Sequence, residues 1–163
     1  MIAFEIARLS SQVPTANHDD NTGFFYKGNA LSYFVDVLFV LLDNAVTKSG
    51  LDRGIWVDSA FQTVDGDLQI MVVNNCRPIE NIIAANEELN FYRQHYGKES
   101  YALQAAQGEG GSGFFKVWKA LTKDLELPHK IEFGYITIDS FEVKITIELQ
   151  HLSGVLFNEN SSS

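Results

Sequence analysis

The sequence has little of what marks secreted, membrane-spanning or nucleic-acid-binding proteins. Its single cysteine, Cys76, cannot form an internal disulfide, and we expect no signal peptide, so both features favour the cytosol. The longest apolar run, residues 37–42, is too short to span a bilayer. With 12 Lys and Arg against 21 Asp and Glu, the net charge is −9 and no basic run occurs. We therefore expect a cytoplasmic protein that does not insert into membranes and does not bind nucleic acid directly.

The composition is that of a folded protein with one core. Hydrophobic residues make up 45% and charged residues 20% of the 163 positions, which is typical of a globular domain. No internal repeat or second domain is visible, so we predict a single domain over residues 1–157. Residues 158–163 are polar and predict a disordered tail.

A glycine-rich stretch is the most informative part of the chain. Residues 108–113 contain four glycines in six positions, and a segment with helical spacing follows, with Val117, Ala120 and Leu121 on one face. Glycines let backbone amides approach a ligand, and a helix that begins there adds unpaired N–H groups and the positive end of its dipole. The stretch therefore predicts a phosphate-binding loop; the alternative is a flexible hinge.

Two common phosphate loops can be compared with this stretch. A P-loop needs Lys and then Ser or Thr directly after its last glycine, but Phe114 and Phe115 follow Gly113 here, which excludes it. Gly108, Gly110 and Gly113 satisfy the dinucleotide pattern G-x-G-x-x-G. That pattern requires a buried strand before it, and residues 100–107 make a poor strand, so dinucleotide binding stays a minor alternative.

The order of predicted elements indicates the fold class. The predicted elements begin with a strand at 2–9, a polar loop at 10–23 and a helix from an N-cap at Ser32 to about Lys48, closed by Gly50. Strands at 55–63 and 68–73 follow, joined by an Asp65-Gly66 turn. A helix from Pro78 to about His95, the helix after the glycines, and strands at 131–137 and 141–149 complete the order. Hairpins cannot connect parallel neighbours. The sequence therefore predicts an α+β, two-layer fold with helices on one face of a mixed or antiparallel sheet.

Polar residues near the end of the long helix stand out. The helix is apolar almost all round, so we expect it to be buried on most sides. Asp43 and Asn44 interrupt this surface, and a buried polar group needs a partner or a function. The alternative is that both simply face solvent at the helix end.

In this order, the motifs resemble the ATP-binding domain of the GHKL superfamily, which includes DNA gyrase, the large heat-shock chaperone and sensor histidine kinases, and which has the Bergerat fold. The resemblance covers residues 31–149. Residues 41–46, Leu-Leu-Asp-Asn-Ala-Val, are similar to the N box, whose asparagine (Asn44 here) binds the magnesium that bridges the ATP phosphates. Asn74 stands where an aspartate accepts the adenine amino group. Residues 108–114 resemble the second glycine box, and residues 97–107 the ATP lid.

The resemblance implies ATP and Mg²⁺ as cofactors. The candidate nucleotide contacts are Asn44, Lys48, Asn74, Lys98, Gly108, Gly110, Gly111, Ser112 and Gly113, with Asn44 also the metal ligand.

Several departures from the family pattern bear on the chemistry. ATP-hydrolysing members place a glutamate four residues before the asparagine, where this chain has Val40. A missing general base costs about 10²- to 10⁴-fold in rate, so the sequence argues against autonomous hydrolysis. Asn74 offers an uncharged and therefore weaker acceptor. Cys76 and Pro78 replace glycines and change the floor of the adenine pocket.

The remaining reactive side chains form no recognisable constellation. Only His18 precedes the N box, in a predicted loop, so no phospho-acceptor hairpin is visible. His95, His129 and His151 lack metal-ligand spacing and are expected on the surface. Cys76 has no basic partner except Arg77, which argues against a catalytic thiol.

Three functional hypotheses follow. The first is an ATP-binding switch module of a larger signalling or regulatory protein, with further domains or a protein partner. The second is a degenerate module that no longer binds nucleotide and mediates protein–protein contact, which Val40, Asn74 and Cys76 favour. The third, which the topology disfavours, is a dinucleotide-dependent oxidoreductase.

Overall fold

The computed structural model describes residues 15–20, 24–26, 28–100, 112–148 and 156–158. Its strands are β1 (Thr15–Asp20), β2 (Phe24–Tyr26), β3 (Trp56–Val64), β4 (Asp67–Asn75), β5 (His129–Thr137), β6 (Ser140–Glu148) and β7 (Leu156–Asn158). Its helices are α1 (Gly28–Lys48), α2 (Ile82–Glu88), α3 (Asn90–His95) and α4 (Ser112–Trp118), and α4 runs directly into a π-helical segment, Lys119–Asp124. None of the helices described combines the length and apolar character that crossing a bilayer would require.

Five strands form the main sheet, in the order β1-β3-β4-β6-β5. β1 lies parallel to β3, and the three other pairs are antiparallel. β2 and β7 form a separate antiparallel pair. The predicted mixed sheet with two hairpins is confirmed. At the turn between β3 and β4, Asp65 has φ 51° and Gly66 has φ 87°, the two positive values that a two-residue type I′ turn requires.

One face of this sheet carries the core. Buried and less buried residues alternate along β3, β4 and β6, so each strand sends every second side chain inward. The buried residues of α1 are Phe34, Val37, Leu41 and Ala45. Those of α4 and the π-helical segment that follows it are Val117, Trp118, Ala120 and Leu121. Apolar members of both sets join one cluster with the strands. The predicted α+β architecture, with helices on one face, is therefore confirmed.

α1 is buried or partly buried around most of its circumference. Its four buried residues form one stripe, and Leu38, Val40, Leu42 and Val46 are partly buried against the core, while Leu31 and Phe39 are each 42% exposed. The expectation of burial on most sides is therefore confirmed. Single exposed apolar residues are common on protein surfaces.

Three predictions about where elements lie were wrong. β1 lies within the predicted polar loop at 10–23, because pairing with β3 overrides the weak strand propensity of its residues; the predicted strand at 2–9 lies outside the described residues. α1 begins at Gly28, so Ser32 lies inside it. Pro78 does not begin a helix: Asn81 caps α2 by accepting from the amides of Ile83 and Ala84, and Leu89 separates α2 from α3.

The residues around Pro78 are instead held to the turn between β5 and β6. The amide of Cys76 donates to the Asp139 carbonyl at 2.8 Å, and the amide of Ile79 donates to the Ile138 carbonyl at 2.8 Å. These bonds hold the residues after β4 against that turn, so α2 begins only at Ile82. They also fix the position of Cys76, which matters for the site.

Candidate functional site

A cavity of about 300 Å³ opens between α1, α3, α4 and three strands of the sheet. Its wall is largely apolar, and its polar side chains include Asn44, Lys48, Asn74 and Cys76 beside two tyrosines. None of the described lining residues carries a carboxylate. The volume and the mixture of apolar walls with a few polar groups are typical of small-ligand sites.

Asn44 reaches this cavity from α1. Its side chain is half-buried, and its amide makes no hydrogen bond to any residue that the structure describes. Lys48, one helical turn later on the same face, also lines the cavity and is exposed. Asp43 is exposed. Each of the two alternatives for this polar pair therefore applies to one residue: Asp43 faces solvent, and Asn44 faces the cavity.

Asn74 is the most buried polar residue of the cavity wall and is held in one orientation. The residue is 5% exposed. Its Nδ2 donates to the Asn75 carbonyl at 2.8 Å and to the Ala45 carbonyl at 3.3 Å. Because both partners are carbonyls, the nitrogen must face them and Oδ1 must face the other way. Oδ1 accepts no hydrogen bond from the described residues, so Asn74 offers the cavity a buried acceptor.

Cys76 and aromatic rings complete the inner wall. Burial raises the pKa of the Cys76 thiol, and the nearby charge of Asp139 raises it further. The thiolate is therefore disfavoured, which agrees with the prediction that Cys76 is not a catalytic nucleophile. Tyr135 and Phe141 meet edge to face, with ring centroids 5.1 Å apart, and both line the cavity. Such flat apolar walls suit a planar ligand.

α4 contributes Gly113 and Phe114 to the cavity wall. Gly113 lies so close to Asn44 that an added Cβ would stand 2.7 Å from Oδ1 and 2.9 Å from Cγ of that side chain. Phe114 lines the cavity and stacks on Phe133 with a centroid distance of 4.3 Å. Ser112 is the first residue of α4. Gly108, Gly110 and Gly111 lie outside the described residues, so their predicted contacts stay predictions.

The start of the predicted lid is tied to the body of the domain. Tyr96 contacts His129 with 2.6 Å between the phenol oxygen and Nε2. A Cβ on Gly97, which has φ 82°, would lie 3.4 Å from Nε1 of Trp118. Glu99 pairs with Lys123 at 2.8 Å. Lys98 is exposed and does not line the cavity, so its phosphate contact stays a prediction; residues 101–107 lie outside the described part of the chain.

The Tyr96–His129 pair corrects the expectation that His129 is a surface residue. Nδ1 of His129 lies 3.0 Å from the Leu127 carbonyl, so it carries the proton, and Nε2 accepts from Tyr96. Burial raises the pKa of the Tyr96 phenol, which therefore remains a donor. Burial also lowers the pKa of His129 below its usual 6.5, an effect that the bond to Leu127 only partly opposes.

This pair predicts a loss of stability in mild acid. Above pH 6.5 His129 is neutral in both the folded and unfolded states. As the pH falls below that value, the unfolded chain takes up a proton that the folded chain resists, so the free energy of unfolding decreases. Urea denaturation between pH 7 and about pH 5, above the range where most carboxylates titrate, should show this slope. A His129→Gln variant should show a smaller slope, and an equal slope in both proteins would contradict the assignment.

Two residues that the sequence did not reveal hold the edge of the sheet. Asn86 of α2 forms a pair of bonds with Tyr135: its Nδ2 donates to the carbonyl and its Oδ1 accepts from the amide, both at 3.0 Å. Arg93 of α3 donates to the Phe133 carbonyl from Nη2 at 2.6 Å and from Nε at 3.2 Å. Both residues bond strand backbone 40 or more positions away, so no local pattern could have identified them.

The groups that would assist hydrolysis are absent from the described part of the site. Val40, at the usual general-base position, packs against the core and does not line the cavity. No cluster of three or more His, Cys, Asp or Glu suited to a metal ion occurs among the residues described. A cation here would depend on Asn44 and on the ligand itself.

Known proteins resemble this chain in sequence pattern and in fold. A family model described as "y4jQ C-terminal putative histidine kinase domain" matches residues 8–149. No curated protein matches by sequence. Similar solved structures include the histidine kinase domain of the Erythrobacter litoralis EL346 blue-light activated histidine kinase, at 16% identity and TM-score 0.58 over 91% of this chain and 58% of that one. The Acinetobacter baumannii histidine kinase AdeS gives 16% identity and TM-score 0.57, over 90% and 59% of the two chains.

The catalytic domain of the histidine kinase ThkA is also similar, with 14% identity and TM-score 0.54 over 82% of this chain and 77% of that one. At these identities the likeness concerns the fold, which is that of histidine kinase catalytic domains, as predicted. The chain spans less than two thirds of the length of the Erythrobacter and Acinetobacter proteins.

Proposed function

The chain belongs to the histidine kinase C-terminal domain family whose model it matches, within the GHKL superfamily, and from that premise we propose that it binds Mg-ATP in the cavity between α1, β4 and α4. The observation that carries the proposal is a pair of amides facing one apolar cavity. Asn74 presents a buried acceptor, and Asn44 presents an amide without a partner among the described residues. A buried polar atom without a partner costs free energy, which a ligand would recover.

In this proposal the base lies deepest. Oδ1 of Asn74 accepts from the adenine amino group, while the aromatic wall formed by Tyr135 and Phe141 packs against the base. Because Nδ2 is occupied by two carbonyls, Asn74 cannot turn to donate to guanine O6. The site should therefore prefer ATP to GTP. A freely rotating asparagine could instead accept from adenine or donate to guanine.

The phosphates and the metal lie toward α4. Amide and carboxylate oxygens are the ligands that Mg²⁺ prefers, and Asn44, which lies next to Gly113 of α4, supplies such an oxygen to the cavity. When bound, Mg²⁺ would neutralise phosphate charge. Lys48 adds a cation on the same helix face, and the glycine-rich stretch before α4 would cover the phosphates.

After binding, we expect the domain to transfer a phosphoryl group or simply to hold the nucleotide, rather than to hydrolyse ATP. No carboxylate among the described lining residues can orient water, and Val40 is packed against the core. We infer a nucleotide-dependent module of a longer cytoplasmic signalling protein, in which an acceptor or partner outside this domain responds to the bound nucleotide. The dinucleotide alternative loses support because antiparallel hairpins replace the βαβ series it needs.

The proposal predicts a magnesium-dependent thermal shift. ATP at about 100 times its dissociation constant should stabilise the fold by roughly 2.7 kcal/mol, which raises Tm by about 5–10 °C for a domain of this size. GTP should give a clearly smaller shift. Lys48→Ala should reduce the shift, whereas Lys130→Ala, which removes an exposed lysine paired with Glu132, should retain it.

One result would favour the second candidate function. Cys76 places a side chain on the cavity wall where the family resemblance has glycine, and that bulk favours a module that has lost its ligand. No shift with any nucleotide, with or without Mg²⁺, would overturn ATP binding and leave a module for protein–protein contact.

A further inference from the structure

Gly113 lies so close to the Asn44 side chain that no residue with a Cβ would fit at position 113 without a shift. A Cβ built on Gly113 would stand within 3 Å of Oδ1, Nδ2 and Cγ of Asn44. All three atoms belong to the mobile end of one side chain, and no backbone atom is among them. A larger residue would therefore displace the Asn44 amide rather than the two helices.

The helices themselves cannot separate to relieve this contact. Leu41 and Ala45, which flank Asn44 on α1, are buried, and Val117 and Leu121, which follow Gly113, are completely buried. All four belong to the same core cluster. Since packed cores tolerate little shift, the distance between the two backbones is fixed and the Asn44 side chain is the part that must move.

The usual reason for a glycine does not apply at this position. Gly113 lies inside α4 without a positive φ, so an L-residue could adopt its backbone conformation. Inside a helix glycine is also less stable than alanine. The observation left to explain this glycine is its contact with Asn44.

We propose that Gly113 is a positioning residue, which leaves room for the Asn44 amide in the orientation in which it faces the cavity and can bind Mg²⁺. This inference rests on the proposed function of the site. The glycine thus has a role besides phosphate binding: it couples the glycine-rich segment to the metal ligand on α1. Supporting contacts of this kind typically change metal affinity by about 10- to 100-fold.

The first test needs no ligand. Wild type, Gly113→Ala, Asn44→Ala and the double variant are melted without nucleotide. In the Asn44→Ala background the obstacle is gone, so Gly113→Ala should raise Tm by about 2–3 °C through helix propensity. In the wild-type background the same change should leave Tm unchanged or lower it. Equal shifts in both backgrounds would overturn the contact as the reason for the glycine.

The second test measures ATP affinity of the same proteins with and without Mg²⁺ by calorimetry. Gly113→Ala should lose the tightening by Mg²⁺, as Asn44→Ala does, while its Mg-free affinity stays within about threefold of wild type. A folded Gly113→Ala protein that keeps the full magnesium effect would overturn the positioning role. If wild type itself binds no nucleotide, the proposed function and the magnesium role fail together, and the melting cycle still decides whether the two residues are coupled.

Discussion

Replacing Asn74 by aspartate should destabilise the folded domain by about 2–4 kcal/mol at pH 7, although aspartate is the residue that the family resemblance would place there. The side chain is 5% exposed. Its Nδ2 donates to two backbone carbonyls, at 2.8 and 3.3 Å. A carboxylate has no N–H, so it would set a buried negative oxygen against two carbonyl oxygens without a compensating charge.

The loss should depend on pH in a defined direction. Burial and the two carbonyls should raise the pKa of the introduced carboxyl in the folded state. Below about pH 3.9 the carboxyl is protonated in both states and its penalty is small. As the pH rises, the unfolded chain ionises while the folded chain resists, so the penalty grows until the pH reaches the folded-state pKa. Urea denaturation of wild type and variant from pH 4 to pH 8 would measure the difference.

Asn81 provides the matched control. Its Oδ1 accepts from two amides at the start of α2, and no bond donated by its Nδ2 to the described residues is recorded. Aspartate caps helices as well as asparagine does, so Asn81→Asp should be neutral or slightly stabilising. If Asn74→Asp is as stable as wild type at pH 7, the orientation assigned to the Asn74 amide is wrong.

The Ala45 bond explains why an amide suits this position. Ala45 lies in the last turn of α1. Nδ2 of Asn74 donates to its carbonyl and thereby ties the end of α1 to β4. One side chain thus holds the helix that carries Asn44 and presents an acceptor to the cavity. A carboxylate could perform only the second role.

The parts of the fold that local patterns determine could be predicted from the sequence. Asp65 and Gly66 specify a two-residue turn through their backbone preferences, and alternating apolar residues specify which face of β6 is buried. β1 could not be predicted, because its strand conformation comes from pairing with β3 rather than from its own residues. The start of α2 was missed because hydrogen bonds to the β5–β6 turn hold the preceding residues extended.

The candidate site divides in the same way. Asn44, Asn74 and Gly113 lie in motifs that the sequence displays, Lys48 follows the first of them, and the structure brings all four to one cavity. The motifs could not show that hydrogen bonds fix the orientation of the Asn74 amide or that Gly113 lies against the Asn44 side chain. Both features depend on contacts between elements that are distant in sequence. Asn86 and Arg93 belong to no motif, because their partners are the main chain of an edge strand.

Arg93→Met should lower the free energy of unfolding by about 3 kcal/mol and Tm by about 6–12 °C. The guanidinium makes five hydrogen bonds: two to the Phe133 carbonyl, two to Asn86 and one to Asn90. It also lies 5.4 Å from the centre of the Phe133 ring. Methionine fills similar space but donates no hydrogen bond, so all five bonds are lost, although Oδ1 of Asn86 keeps the Tyr135 amide as a donor. Bonds to a charged donor also contribute more than neutral ones.

Arg53→Met is the matched control, because it removes the same charge from an exposed arginine that has no recorded hydrogen bond or ion pair with the described residues. Surface changes of this kind usually alter stability by less than about 0.5 kcal/mol. Arg93→Lys should lose most of the stability that Arg93→Met loses, since one ammonium cannot reproduce the planar fork. If Arg93→Met and Arg53→Met unfold at the same urea concentration, Arg93 does not hold α3 to the edge of the sheet. If only Arg93→Met is destabilised, β5 depends on this side chain, and so does the Phe133 ring that supports Phe114 in the cavity wall.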